Sequence, residues 1–256
     1  MGGFANNAPI VTDGLVFYVD AGNGNSYDGV SGATTWDNLI SSNGGDLTNM
    51  ETDPVNVGYA YDSTAGGGLV FDGTDDVVLL DSTSQAIFNQ TWSNGFTICS
   101  AISVPASPRL ANDGMSIFVR SNGSAVANNF NWSLMIRGST SDPEYKKLRF
   151  WISNFNGSNL LSNTALTSTS PYYCCVTYDP SASQIKIYIN GVLDATRSGV
   201  SLNITTGVYG TKIGGAPGAF NGWEYDGTIH MVKAYDKALS ADEITQNYNA
   251  LKNRFV

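Results

Sequence analysis

Four groups of residues in this sequence have types and spacings that could do chemistry. Glu224 and Asp226 stand two apart in NGWEYDG, so on a strand both carboxylates would share one face. Glycoside hydrolysis generally needs two carboxyls about 5–9 Å apart, one of them acting as acid. The chain has only four glutamates (Glu51, Glu144, Glu224 and Glu243), and this pair sits in Gly-rich sequence, so a hydrolytic role is disfavoured. His230 is the sole histidine, between Ile229 and Met231 in the strand-like run TIHMVKAY. A triad would need it beside an exposed nucleophile and an orienting acid, and nothing in sequence marks either. The expectation is a packed strand histidine and no catalytic residue. One histidine, with Cys174 adjacent to Cys175, also excludes the common zinc spacings.

The other two groups point to binding. Asp72-Gly73-Thr74-Asp75-Asp76 puts three acids in five residues, and Asp226 or Asn221 is expected on the same rim. Ca²⁺ takes six to eight oxygens of this kind, which makes Asp72, Asp75, Asp76 and Asp226 its candidate ligands. Against that, Asp in an Asx-Gly turn is needed for backbone hydrogen bonding alone, so no cofactor is required. For a saccharide, aromatic faces and amide or carboxylate groups must converge in a concave site. Trp223, Tyr225 and Asn221 in AFNGWEYDG are candidates, with Trp92 in NQTWSNG. Trp36, Trp132 and Trp151 read as core or sheet-face residues.

These groups must be carried by strands. Ile185, Ile187 and Ile189 alternate with polar partners, and Asn190-Gly191 then suits a type I′ hairpin turn. Similar alternation marks Leu15–Asp20, Leu69–Phe71, Val77–Leu80, the run from Phe96 to Val104, and stretches around Ile117, Leu134, Phe150 and Tyr173–Tyr178. A dozen or so short strands with turn residues between them predict an all-β, antiparallel two-sheet jelly-roll sandwich. One helix is predicted, Ala241–Leu251, with Ser240 and Glu243 as a capping box and Leu239 and Ile244 as a staple. Its stripe Ile244, Tyr248, Leu251 is expected on the sandwich edge. Residues 1–12 read as a flexible arm, and 13–256 as one domain.

Composition narrows the partners. The 256 residues carry a net charge of −9 with scattered Lys and Arg, which argues against nucleic acid and anionic membrane. No apolar run is long enough for a membrane span. The opening MGGFANNAPIVTDG lacks signal-peptide features, so the expectation is a protein held in the cytosol until assembly or release, or one whose signal has been cleaved. Three cysteines are no disulfide framework. Cys174 and Cys175 should face opposite sides of their strand as packing residues, and a link to Cys99 requires neighbouring strands.

In their order along the chain, GLVFYVDAGNGNSY, TTWDNLISSNGGDLTN, LVFDGTDDVV, FTICSAIS, VTYDPSASQIKIYINGVL and IHMVKAYDKALSADEITQNYNALKNRF resemble laminin G-like modules of the concanavalin A-like lectin/glucanase superfamily. The resemblance implies a curved two-sheet sandwich with loops at its rims, commonly used for glycan binding or assembly, and with a rim Ca²⁺ in some members. The family's glucanase branch uses Glu-x-Asp-x-x-Glu, whereas here the position three after Asp226 is Ile229. Ala101 stands where relatives often place an aromatic, and Tyr172-Tyr173 where they often carry Trp and His. GLVFYVDAGN and QNYNALKNRF resemble versions found in tailed-bacteriophage virion proteins. That implies a non-enzymatic virion surface protein (head decoration, fibre or tail-associated), assembled in the host cytoplasm with other virion proteins or its own copies. The alternative is an extracellular lectin or adhesin that binds cell-surface glycans.

Overall fold

The computed structural model describes residues 8–30, 33, 35–40, 50–51, 60–106, 114–121, 130–137, 143–152, 159–202, 210–215 and 223–255. In chain order the strands are β1 (Leu15–Asp20), β2 (Met50–Glu51), β3 (Ala60–Asp62), β4 (Gly68–Asp72), β5 (Val77–Leu79), β6 (Phe96–Ser103), β7 (Gly114–Ser121) and β8 (Phe130–Arg137). They continue with β9 (Lys147–Ile152), β10 (Leu160–Ala165), β11 (Tyr172–Asp179), β12 (Gln184–Ile189), β13 (Val192–Ser198), β14 (Gly210–Ile213) and β15 (Asp226–Tyr235). Helices α1 (Ser82–Phe88) and α2 (Ala241–Leu251) complete the set, with 3₁₀ turns at Thr64–Gly66 and Lys252–Arg254.

The strands form two antiparallel sheets, as the alternation predicts. One sheet runs β13-β12-β11-β6-β15-β4-β3, with β1 also on β15; the other runs β10-β9-β8-β7-β14-β5-β2. β15 is long enough to pair with β6 along one side, and with β4 and then β1 along the other. Inward side chains of both sheets, including Phe17, Phe71, Phe118, Trp132 and Phe150, fill the space between them. In β9 the alternation is complete: Leu148, Phe150 and Ile152 are buried and their neighbours less so. The hairpin turn has φ +51° at Asn190 and +80° at Gly191, the pair of left-handed residues that a type I′ turn requires.

α1 has no counterpart among the predicted elements. Asp81 caps it by accepting from Ser84 N at 2.6 Å, and Phe88 drops between the sheets against Phe17 and Phe118. α2 occupies the predicted residues, with both halves of the capping box formed. Its location differs from the expectation. The helix lies across the outer face of the β1-containing sheet, not on its edge, because that face is apolar there and needs cover. Tyr173, Cys175, Tyr188, Met231 and Tyr235 meet Leu239, Ile244 and Leu251 in a second cluster. The end of the predicted arm joins this layer: Val11 N donates to Asn247 Oδ1 at 2.8 Å, and Tyr235 OH donates to Val11 O at 3.1 Å. Residues 1–7 lie outside the described residues.

Cys174 and Cys175 do face opposite sides, one toward each cluster. β6 and β11 are neighbours that bring Cys99 directly opposite Cys175, with Cα atoms 4.1 Å apart, and the two form a disulfide. Cys175 is therefore a cross-link as well as a packing residue. Cys174 stays free in the core, where burial drives its thiol pKa far up.

Candidate functional site: a groove on the outer sheet face

α2 covers only part of the outer face. Beyond it the outward residues turn polar, and β3, β4, β6 and β15 border a groove of about 600 Å³. Asp62, Ser103, Asp226, Thr228 and His230 supply its polar walls, and Phe255, just past the final 3₁₀ turn, supplies an aromatic one. Thr228 pairs with Ser103 across β15 and β6, and with Val70 across β15 and β4, so the strand register itself sets these side chains in one place.

His230 sits at the floor, 1% exposed. Its Nδ1 lies 2.8 Å from the Gly67 carbonyl and its Nε2 lies 2.9 Å from Ser103 Oγ. Gly68 makes this approach possible, since a Cβ there would fall 2.8 Å from the ring nitrogen. Burial lowers the imidazole pKa, the Gly67 bond opposes that, and the nearby Arg254 charge lowers it further. The ring is thus predominantly neutral at pH 7. The packed strand histidine expected from sequence is found, but with a serine partner 127 residues away that no local pattern could reveal.

The residues singled out in sequence are scattered by the fold. Asp226 lines the groove; Glu224, two residues earlier, does not. Tyr225 points the other way, fully buried between the sheets, with its OH donating to Ser103 O at 3.1 Å and its ring edge-on to Phe71. Trp92 is likewise a core residue, packed on Phe88 and Phe96. Both are corrections to the expectation of exposed stacking rings: their apolar area fills interior space. Trp223 is 8% exposed and packs against Trp151, at 5.7 Å between centroids, and Met135 on the outer face of the other sheet. It is a loop plug there, away from the groove. Asn221 lies outside the described residues.

Asp72, Asp75 and Asp76 do converge, with one ligand oxygen of each within 4.8 Å of the others. Asp72 Oδ1 accepts from Thr74 N at 2.7 Å, and Asp76 Oδ2 accepts from Asp72 N at 2.9 Å. Two of the three carboxylates therefore already hold the turn. Asp226 is the register partner of Asp72, so this turn and the groove share a rim. Among the described residues, these three carboxylates provide about half of the oxygens Ca²⁺ requires.

The comparisons with known proteins agree with this architecture. A laminin G-type family model of the concanavalin A-like lectin/glucanases superfamily matches residues 72–245. No curated protein matches the chain. Among solved structures, Trypanosoma rangeli sialidase aligns at TM-score 0.61 and 15% identity over 96% of this chain, which spans 34% of that chain's length. Domain 4 of AbnA, an extracellular arabinanase from Geobacillus stearothermophilus in complex with arabinotriose, aligns at 0.60 and 16%, covering 91% of this chain and 98% of that one. The CBM40 of Ruminococcus gnavus IT-sialidase, bound to α2,3-sialyllactose, aligns at 0.54 and 17%, covering 73% and 94%. At these identities the structural likeness speaks for the fold. With the family model spanning well over half of the sequence, the chain belongs to the concanavalin A-like lectin/glucanases superfamily.

Proposed function

We propose that the outer-face groove is a carbohydrate-recognition site, and that the chain is a non-enzymatic lectin-like module displayed on a tailed-phage particle. The observation that carries the recognition reading is the groove lining, where the hydroxyls of Ser103 and Thr228, the carboxylates of Asp62 and Asp226, and the Phe255 ring border one recess. A sugar ring needs that combination: hydrogen-bond partners for its edge and an apolar surface for its face. Proteins of similar fold, one in complex with arabinotriose and one bound to α2,3-sialyllactose, support the same class of ligand. The particle reading rests on the resemblance of the opening and closing segments to phage virion proteins. The non-enzymatic reading rests on the sequence, which carries no Glu-x-Asp-x-x-Glu motif.

A second reading, an extracellular adhesin, is favoured by the buried Cys99–Cys175 disulfide, since such bonds persist in oxidising surroundings. A glycan array with the full chain tests recognition. Phe255→Ala and Asp226→Ala should each weaken any hit by about tenfold or more, a loss of one good contact. Hits unaffected by both substitutions would move the site elsewhere. Immunogold microscopy of phage lysates separates the two readings: label only on free protein, never on particles, would remove the virion assignment.

A further inference from the structure

The groove floor holds a hydrogen-bond relay whose direction is set by one proton; its effect on ligands rests on the groove being a saccharide site. The Gly67 carbonyl can only accept, so the proton between it and His230 at 2.8 Å is on Nδ1. In the neutral ring Nε2 then has only a lone pair, and Ser103 donates its hydroxyl proton to it across 2.9 Å. Ser103 is half-buried and lines the groove, so its Oγ meets a ligand with lone pairs alone. A protonated ring reverses this. Nδ1 keeps its bond to the Gly67 carbonyl, Nε2 gains a proton, and that proton is donated to Ser103 Oγ. The serine hydroxyl proton is then released toward the groove. One proton on the buried ring converts Ser103 from acceptor to donor with the same heavy-atom geometry.

The charges around the ring set where this happens. Among the described residues, Asp62 at the end of β3 and Asp20 at the end of β1 favour the protonated ring, and Arg254, just past α2, opposes it. Asp20 accepts from Tyr18 OH at 2.6 Å and pairs with Arg254, so these two charges act together. Asp226 lines the same groove. Gly67, Gly68 and Ser103 bring no titrating side chain, and Phe255 packs on the imidazole at 5.6 Å between centroids. Burial outweighs the carboxylates, so the ring takes its proton below the ordinary 6.5. Lys233, three residues on in β15, takes up its own proton at about pH 7, so a test must separate the two.

We propose that His230 is an acid switch for ligand choice. With the ring neutral the groove favours sugars that donate a hydroxyl proton to Ser103; with the ring protonated it favours sugars that offer an acceptor there, such as a carboxylate.

His230 is the only histidine in the chain, so long-range ¹H–¹⁵N NMR of the full-length protein reads its ring nitrogens without assignment. The expected result is the Nδ1–H tautomer at pH 7.5 and protonation of Nε2 with a midpoint between about pH 5 and 6.5. An Nε2–H tautomer, or a ring still neutral at pH 5, overturns the inference. Calorimetric titration with arabinotriose and α2,3-sialyllactose, at pH 7.5 and one unit below that midpoint, reads the consequence, with melting curves confirming the fold at both. The affinity ratio should move toward sialyllactose by about tenfold, the size of one reversed hydrogen bond. Lys233→Met should keep this movement and Ser103→Ala should abolish it. A ratio that stays fixed, moves equally in Ser103→Ala, or stops moving in Lys233→Met overturns the inference and leaves the groove a sugar site. Failure of both probes to bind at either pH also overturns it, while the glycan array decides separately whether the groove takes saccharides.

Discussion

Lys233 stands outward on β15, fully buried, with its Nζ over the Tyr18 ring at 4.5 Å and without a hydrogen bond among the described residues. Desolvation pulls its pKa from 10.5 down to about 7, with Asp20 opposing that shift and Arg254 adding to it. The unfolded chain binds this proton up to about pH 10.5 and the folded chain only up to about pH 7. Stability should therefore rise with pH across that window and carry the full penalty below it. Burial also raises the pKa values of Tyr173, Tyr225 and Tyr235, so above pH 10 the unfolded chain loses phenolic protons first and stability falls again. Chemical denaturation from pH 6 to 11 should show a maximum between pH 8 and 10. Lys233→Met should stabilise the fold at pH 6 by a few kcal/mol, on the order expected for a shift of this size, and much less at pH 10. Equal effects at both pH values would refute the buried-ammonium account. At the same scale, Ser240→Ala removes the bond to Glu243 N, 3.2 Å long, and should cost about 1 kcal/mol in the same assay.

Elements were legible where a repeating pattern fixed them. α2 announced itself through its cap and staple, and β12–β13 through alternation around Asn-Gly, because those signals are local. α1 was not, since seven residues hold too few turns for a 3.6-residue period to emerge, and its Asp81 cap looks like any loop acid. The groove escaped for a different reason. Ser103, His230 and Asp62 come from three strands far apart in the chain, and only register unites them. Aromatic residues in Gly-rich loops misled in the opposite sense, because Trp92 and Tyr225 fill the core from loop positions. Phe88 shows how much a short element can contribute: it touches Phe17, Trp92, Phe118 and Trp132. Phe88→Ala should lower stability by about 3–5 kcal/mol, the usual range for a buried ring, with the denaturation midpoint as readout. A change under about 1 kcal/mol would mean that α1 is an attachment and not part of the core.

For the whole molecule, the closing segment decides whether the fold stands. β1 pairs with β15 across more than 200 residues of sequence, and α2 then seals the outer face beside Val11 and Leu15. Leu239, Ile244 and Leu251 are each 9% exposed or less. Burying a side chain of that size is worth about 1.5–3 kcal/mol. Three of them approach the entire net stability of a typical domain, about 5–15 kcal/mol. The layer beneath contains Tyr173, Tyr188, Met231 and Tyr235, which would be left open to water as one apolar patch. A chain ending at Asp236 should therefore lose its cooperative unfolding transition and bind a hydrophobic dye strongly. The full-length triple variant Leu239→Ala, Ile244→Ala, Leu251→Ala should fall between the truncated and intact chains. A truncated protein that still melts sharply near the full-length temperature would show that the two sheets stand alone, and that α2 serves some purpose other than holding them.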